Sequence, residues 1–372
     1  MKLKKIEAAV FFGTSAELIK LWPVIIELEK LTLISLLTTN QQPSELRELE
    51  KRLNLESVMN LRSPQKGNLT SKIEVIPWIM SVGIRSVWRL SKLKRAASKR
   101  DKNLLVFVHG DTMTCVIGAL AGRLARCQVV HVEAGLRSND WRNPFPEEVD
   151  RIVTARLAQY HFAPDEIAVK NLSGRHGNII NTFGNTARDS MRLMQDVIDR
   201  SNTAGTFTLV SLHRAELLGN EQVFKDTINE LIDTSRNNRL VMVIDALTRS
   251  TLEHLNLFNQ IQDSKIELHE KMAYPDFLAF VISAERVVTD SGGLQEECGF
   301  LEIPCLIHRK ATERFDGIGR TARLSLWEAG SIKEFVSMKL DHSLRGEQTR
   351  RLSDEKSPTG VIIQSLTDLD LL

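Results

Sequence analysis

The sequence predicts an α/β protein made of two units, each built on a parallel sheet. Three observations carry this prediction. The chain has 372 residues, enough for two or three domains at roughly 150 residues each. Short buried strands alternate with helical periodicity and no hairpin signals separate them, which calls for parallel pairing and crossover helices. The alternation restarts after Asn202-Thr203-Ala204-Gly205, so the joint between two units of similar size falls near residues 185–203.

In the first unit, Ala8–Phe12 reads as a strand and Gly13-Thr14 as its turn. Leu18, Leu21, Trp22, Ile25 and Leu28 then recur at helical spacing, and Pro23 is expected to kink that helix or restrict its first turns. Leu33–Thr39 is a second strand, followed by a polar helix near Glu45–Leu53. Leu104–Val108 is a strand ending in His109-Gly110-Asp111, and Val116–Ala125 is an Ala/Gly-rich helix. Gln128–Val132 is a strand ending in Glu133-Ala134-Gly135. A helix over Glu147–Gln159 and short strands at Tyr160–Phe162 and Ile179–Thr182 follow.

The second series opens with the strand Phe207–Leu212, which ends at His213. Glu221–Ser235 is a helix and Leu240–Ile244 a strand. The strand Arg286–Thr289 leads into Asp290-Ser291-Gly292-Gly293, then the helix Leu294–Leu301 and the strand Cys305–His308. From Ser343 the tail is charged, and it ends in a weakly periodic helix through Val361, Ile362, Ile363, Leu366 and Leu369.

Composition narrows the classes. Hydrophobic residues at 42% and charged residues at 26% exclude bulk disorder. Lys plus Arg number 49 against 47 Asp plus Glu, and this near balance gives no argument for a nucleic-acid partner. The cysteines at 115, 127, 298 and 305 form no C-x-x-C pair, so neither a zinc site nor a disulfide framework is indicated. Reduced thiols in a cytoplasmic protein are the expectation. The apolar run Ala8–Phe12 is too short for a signal peptide, and no stretch is long enough to span a membrane.

One segment stands apart. Residues 75–102 hold eight basic residues and one acidic, a local +7 that leaves −5 on the rest of the chain. The expected structure is a core-packed helix with a solvated basic face. A second reading lays this helix on anionic lipid, a peripheral membrane contact with Trp78 and Trp88 at the interface.

In an open parallel sheet, ligands bind outside the carboxyl ends of the strands. Asp111, Glu133, His213 and Asp290-Ser291 each stand where a strand stops. Any one alone is commonly a helix cap or a loop ion pair; four in register across two sheets point to a site. Residues 290–297 read as a strand end, a glycine turn and a helix start, where the backbone approaches a ligand and free amides meet a phosphate. Glu296 and Glu297 suit a first helical turn through the dipole, or one of them binds ribose hydroxyls. His109 and His131 are expected as buried, hydrogen-bonded core residues, with no third ligand at metal spacing.

These motifs together resemble a known family. His109-Gly110-Asp111-Thr112, His131–Arg137, Pro144-Phe145-Pro146-Glu147-Glu148 with Arg151, Gly184-Asn185-Thr186, His213-Arg214 with Glu216, Thr289–Glu297 and Thr312-Glu313-Arg314 stand in the order of the UDP-N-acetylglucosamine 2-epimerase family. The resemblance runs from residue 8 to about 320, and Ser357–Leu366 faintly resembles the family's final helix. It implies two Rossmann-like domains facing across a cleft, the GT-B architecture. The first would cover 1–190, completed by a C-terminal helix at 355–372, and the second, UDP-binding, would cover 191–354.

The resemblance also implies an activity: elimination of UDP from UDP-GlcNAc and its re-addition to the glycal with the opposite configuration at C2, for a surface polysaccharide. That chemistry needs a base at C2, negative charge near an oxocarbenium-like sugar and cations on the departing diphosphate. Asp111, Glu133 and Glu147 match the family's catalytic carboxylates. Lys20, Arg151 and His213 match its basic positions near the diphosphate. Ser291, Gly292, Gly293 and Glu297 match its UDP loop, with Phe277 expected against the uracil. The resemblance implies no metal and no redox cofactor, and a homodimer is expected.

Departures from the family pattern keep other activities in view. Ser15 stands where the family usually has a nucleotide-contacting arginine, a loss of roughly 1.5–3 kcal/mol unless another cation substitutes. Gln41-Gln42 and Asp245-Ala246-Leu247 replace histidines of the second, activating UDP-GlcNAc site of the bacterial epimerases. The alternatives are a UDP-sugar glycosyltransferase with a lipid-linked acceptor, a hydrolysing 2-epimerase, and a non-catalytic nucleotide-sugar sensor.

Overall fold

The structure is a computed structural model that describes residues 6–41, 43–55, 58–61, 72–138, 146–198, 206–312, 314, 317–339 and 356–372. Gln42, Pro144, Phe145, Asn202 to Gly205, Glu313 and residues 343–355 of the charged tail lie outside the described residues. Two compact units emerge: Met1–Leu193 together with Lys356–Leu372, and Met194–Glu355.

The first unit alternates throughout. It begins β1 (Ile6–Phe12), α1 (Ser15–Leu31), β2 (Ile34–Thr38), α2 (Pro43–Arg52), β3 (Met59–Asn60) and α3 (Lys72–Ser98). It continues β4 (Asn103–His109), α4 (Met113–Leu124), β5 (Gln128–Val132), α5 (Glu147–Leu157), β6 (Tyr160–Ala163), α6 (Glu166–Asn171), β7 (Asn178–Asn181) and α7 (Ala187–Ile198). The second unit runs β8 (Thr208–Ser211), α8 (Ala215–Leu218), α9 (Glu221–Ser235), β9 (Leu240–Ile244), α10 (Ala246–His254), α11 (Phe258–Gln262) and β10 (Glu267–Glu270). It closes with α12 (Tyr274–Ser283), β11 (Arg286–Thr289), α13 (Gly292–Phe300), β12 (Cys305–Ile307), β13 (Ala322–Leu324) and α14 (Ser331–Ser337). The last helix, α15 (Pro358–Asp368), belongs to the first unit.

The strand orders are β3-β2-β1-β4-β5-β6-β7 and β10-β9-β8-β11-β12-β13. Every paired strand runs parallel, as the alternation predicts. The strand order of each sheet reverses once, between β1 and β4 and between β8 and β11, and ligands of doubly wound sheets bind at such a switch point. The candidate residues of both units lie at these two places.

The cores follow from the strands. β1 is buried along its whole length, as a strand covered by helices on both faces must be. In the first unit Trp78, Val82 and Leu90 of α3 pack with Val106 and Val108 of β4 and Ile117 of α4. In the second, Phe224, Ile228 and Leu231 of α9 pack with Val210, Met242 and Val288. All four cysteines are buried and free.

Helix α3 is core-packed, as its composition predicts, and one expectation about it is corrected. Trp78 is 5% exposed and sits in the core, so it is unavailable to a membrane interface, whereas Trp88 is 57% exposed. The helical period explains the split: residues 78, 82 and 90 share the buried face, while Met80, Ile84 and Trp88 point outward. Among the described residues no helix is long and apolar enough to cross a membrane.

Pro23 does not break α1, which runs unbroken from Ser15 to Leu31. A proline inside a helix leaves the carbonyl four residues earlier without its backbone donor. Here that carbonyl belongs to Ile19, and the Ser190 hydroxyl donates to it at 2.5 Å. The final helix docks through the same region. Ser357 Oγ and the Thr359 amide donate to Asp189 Oδ2 at 3.0 and 2.8 Å, and Ile362 and Leu366 are fully buried.

Candidate active site

At the first switch point the β1–α1 turn is built around Glu17. Its carboxylate accepts the Gly13 and Thr14 amides at 2.8 and 2.9 Å and the Thr112 hydroxyl at 2.6 Å, joining the turns after β1 and β4. Burial pushes this carboxyl up, and its bond from Thr112 opposes the shift. Gly13 is required for closeness: a Cβ there would lie 2.1 Å from Thr114 Oγ1.

One turn further along α1, Lys20 Nζ donates to Glu133 at 2.8 and 3.0 Å. The pair is shielded, with side chains 16% and 5% exposed. Glu133 has left-handed backbone, φ 61°, a conformation that costs a non-glycine residue about 1–3 kcal/mol and persists where the surroundings over-determine it. His109 Nε2 lies 3.0 Å from Glu133 Oε2, although its N–H is not aligned as a hydrogen bond. The expectation of an ordinary core histidine is therefore corrected for His109, which is buried but turned toward a site carboxylate. The expectation holds for His131, whose Nε2 bonds Gly110 O at 2.8 Å. Burial lowers the His131 pKa to about 3, so the ring is neutral and Nε2 carries the proton.

Asp111 follows β4 and pairs with Arg151 of α5. Arg151 Nη1 also donates to Glu148 at 3.3 Å. Glu148 in turn accepts the Ser138 amide at 3.1 Å and faces Arg137 at 3.8 Å, tying the loop after β5 to α5. Glu147 opens α5, and its buried Oε2 has no hydrogen-bond partner among the described residues. Burial, then the charges of Asp111 and Glu147, raise the Asp150 pKa to about 7. The structure thus gathers Asp111, Glu133, Glu147, Lys20 and Arg151 at the carboxyl ends of β4 and β5. It adds Glu17, His109, Glu148 and Asp150, which sequence reading left out of the site. The repeated Glu147-Glu148 and the capping pair Thr14–Glu17 are the sequence signals by which two of these could have been found.

At the second switch point Asp290 is fully buried. It accepts the His213 amide at 3.1 Å and the Arg214 amide at 2.9 Å, so it shapes the turn that carries His213. Burial raises its carboxyl, and the charge of His213 opposes the shift. The His213 ring is 40% exposed, with Nδ1 3.7 Å from Asp290. Ser291 is the N-cap of α13 and accepts the Leu294 amide at 3.4 Å. Gly292 and Gly293 form the first helical positions, and a Cβ on Gly293 would meet only Ser291 Oγ, at 3.9 Å. Space therefore remains beside that backbone.

Glu297 accepts the Tyr274 hydroxyl at 2.9 Å, and Glu296 pairs with Arg314 at 2.6 Å. Neither sits in the first turn of α13, which the dipole reading of these residues expected; the helix begins at Gly292. Tyr274 opens α12, the helix that also carries half-buried Phe277. The Tyr274–Glu297 bond thus ties the helix of Phe277 to the glycine-started helix. Burial and then Glu297 push the Tyr274 hydroxyl up, so it stays a donor. Among the described residues no group of three or more His, Cys, Asp or Glu is arranged to hold a metal ion.

Two parallel sheets in dinucleotide-fold order, each with its polar residues at the switch point, define a protein with the paired Rossmann-like units of the GT-B architecture. The chain belongs to the UDP-N-acetylglucosamine 2-epimerase family, whose profile matches residues 89–360. It is similar to the UDP-N-acetylglucosamine 2-epimerase of Methanocaldococcus jannaschii, 32% identical over 327 residues that cover 82% of this chain and 84% of that one. The Bacillus subtilis enzyme of the same name is 30% identical over 345 residues, covering 89% of this chain and 83% of its own. The crystal structure of the Methanocaldococcus jannaschii enzyme in complex with UDP-GlcNAc and UDP superposes with a TM-score of 0.75. Its identity is 27%, over 98% of this chain and 100% of that one.

Proposed function

We propose that this chain is a nucleotide-sugar 2-epimerase that interconverts UDP-GlcNAc and UDP-ManNAc, supplying a surface polysaccharide. The observation that carries this reading is the first unit's cluster of three carboxylates, two of them held by cations, in a chain of the epimerase family.

The reaction starts with loss of the C2 proton to a carboxylate while the C1–O bond breaks. The bonding electrons of C1–O leave with UDP and the C2–H electrons form the C1–C2 double bond of the glycal. UDP then re-adds at C1 and a proton returns to the opposite face of C2. Glu147 is the carboxylate best suited to the base, since no cation holds its buried oxygen among the described residues. Asp111 and Glu133, each held by a cation, keep fixed negative charge for the oxocarbenium-like sugar. In the second unit, the N-terminus of α13 with Ser291, Gly292 and Gly293 suits the diphosphate, Glu297 the ribose and Phe277 the uracil. His213, held by the Asp290 turn, supports the departing diphosphate.

Incubation with UDP-GlcNAc in deuterium oxide, followed by proton NMR, tests the reading. Deuterium at C2 and a new anomeric signal are expected. Absence of both, with no UDP released, overturns it. Acceptor-dependent UDP release without exchange at C2 would identify the transferase instead, and free sugar the hydrolysing epimerase.

The reading extends to location and assembly. Met80, Ile84 and Trp88 form an outward row on α3, with Lys92 3.8 Å above the Trp88 ring and Arg95 and Lys99 exposed beyond it. This row supports peripheral contact with anionic lipid, tested by flotation with phosphatidylglycerol vesicles against neutral ones. The homodimer rests on the family resemblance and is tested by light scattering.

A further inference from the structure

We infer that His109 is a positioning residue that, together with Lys20, brackets the carboxylate of Glu133 and holds it ready for the reaction. The inference rests on the epimerase reading and deepens it at one residue.

Two side chains from different elements converge on Glu133. Lys20 comes from α1 and bonds both carboxylate oxygens. His109 comes from the end of β4, is 3% exposed, and places Nε2 3.0 Å from Oε2. Catalytic hydrogen bonds are often poorly aligned before the substrate arrives, and the unaligned Nε2 fits that description. The neighbouring backbone holds the ring in place. Gly110, at φ 68°, turns the chain directly after His109. Its carbonyl is held by the neutral His131 ring from β5. The charged and titratable groups near His109 are Glu133 just after β5, His131 on β5 and Glu17 on α1, with Lys20 on the far side of the Glu133 carboxylate and Asp111 two residues on in sequence.

A donor beside a carboxylate favours its ionised form. Lys20 and His109 both approach Glu133, whose left-handed backbone restricts its movement. Removing the imidazole takes away one group that favours the ionised carboxylate, so Glu133 takes up a proton at higher pH.

The test uses the full chain with His109→Gln and His109→Asn, read by C2 deuterium exchange and by 13C NMR of glutamate-labelled protein. Expected for His109→Asn is a fall in kcat of about tenfold with KM within twofold. The acid limb of the kcat profile moves up by about one pH unit, and the Glu133 carboxyl carbon titrates at higher pH than in the wild type. Gln, whose amide reaches the position of Nε2, restores part of the loss. An unmoved Glu133 titration, or an unmoved acid limb in both variants, overturns the inference. A wild type silent in C2 exchange overturns the epimerase reading instead, and the carboxyl titration still decides the role of His109.

Discussion

Lys20 and Glu133 lie 113 residues apart in sequence, and Lys20 Nζ sits 2.8 Å from the Glu133 carboxylate. Both side chains are largely shielded, so removing Lys20 takes a cation away from a buried carboxylate. Lys20→Met is expected to lower stability by roughly 3 kcal/mol and turnover at least a hundredfold. Adding Glu133→Gln to Lys20→Met should return most of the stability and none of the turnover. Urea denaturation of the four proteins checks the first statement and C2 exchange the second. Asp111→Asn and Glu133→Gln alone should abolish turnover with UDP affinity nearly intact, and activity within about tenfold of wild type would remove either from its role.

Ser190→Ala strips the donor from the carbonyl that Pro23 leaves exposed on Ile19. The site is fully buried, so the loss should be about 1–3 kcal/mol. Pro23→Ala restores a helical N–H to that carbonyl. In the Pro23→Ala background, Ser190→Ala should therefore cost clearly less, and equal costs in both backgrounds would show that the two residues are not coupled.

UDP affinity should follow the second unit. Ser291→Ala and Glu297→Ala are each expected to weaken UDP binding about tenfold by calorimetry, a loss near 1.4 kcal/mol. Tyr274→Phe, which removes only the hydroxyl bond to Glu297, should weaken it less. Unchanged affinity in both of the first two variants would exclude α13 from nucleotide binding.

Burial lowers the His308 pKa to about 4, and Thr227 and Ser325 bond its two ring nitrogens at 2.8 and 3.0 Å. The folded state thus favours the neutral ring, while an unfolded histidine titrates near 6.5. Between about 6.5 and 4 the unfolded chain binds the extra proton. Stability from this group is complete above 6.5 and falls as pH falls, with a slope of at most about 1.4 kcal/mol per pH unit. The stability gap between wild type and His308→Gln should narrow from pH 7 to pH 4.5 in urea titrations. A constant gap would show that the ring does not stay neutral.

Strong activation by UDP-GlcNAc is not expected. Ala246 opens α10 behind the Asp245 cap, and the family resemblance implies histidines of an activating site there and at Gln42. Without contacts that differ between states, an effector cannot shift the equilibrium. Initial rates should be hyperbolic in substrate, and the reverse reaction from UDP-ManNAc should start without added UDP-GlcNAc. Sigmoidal rates would show a rebuilt second site.

Much of the scaffold was legible because its strands are short apolar runs closed by turns. β1, β4, β5, β8 and β11 fall where the sequence places them, and so do the polar residues at their ends. The helices between Ile244 and Arg286 were not. α10 depends on the Asp245 cap at Thr248, and α12 on a tyrosine-proline start with apolar residues on several faces, so neither displays a clean helical stripe.

The sequence by itself determined the parallel α/β class, because it depends on local periodicity, and it placed the candidate carboxylates at strand ends or in contiguous motifs. Tertiary structure alone decided their partners. Lys20 meets Glu133, Asp111 meets Arg151, and Ser190 reaches the carbonyl below Pro23, each across tens of residues or more. His109 is the clearest case. Its place at a strand end was readable, yet only the pairing of β4 with β5 puts its ring against Glu133. A buried ionisable group must find a partner or lose its charge, and which partner it finds depends on how the sheet brings distant strands side by side.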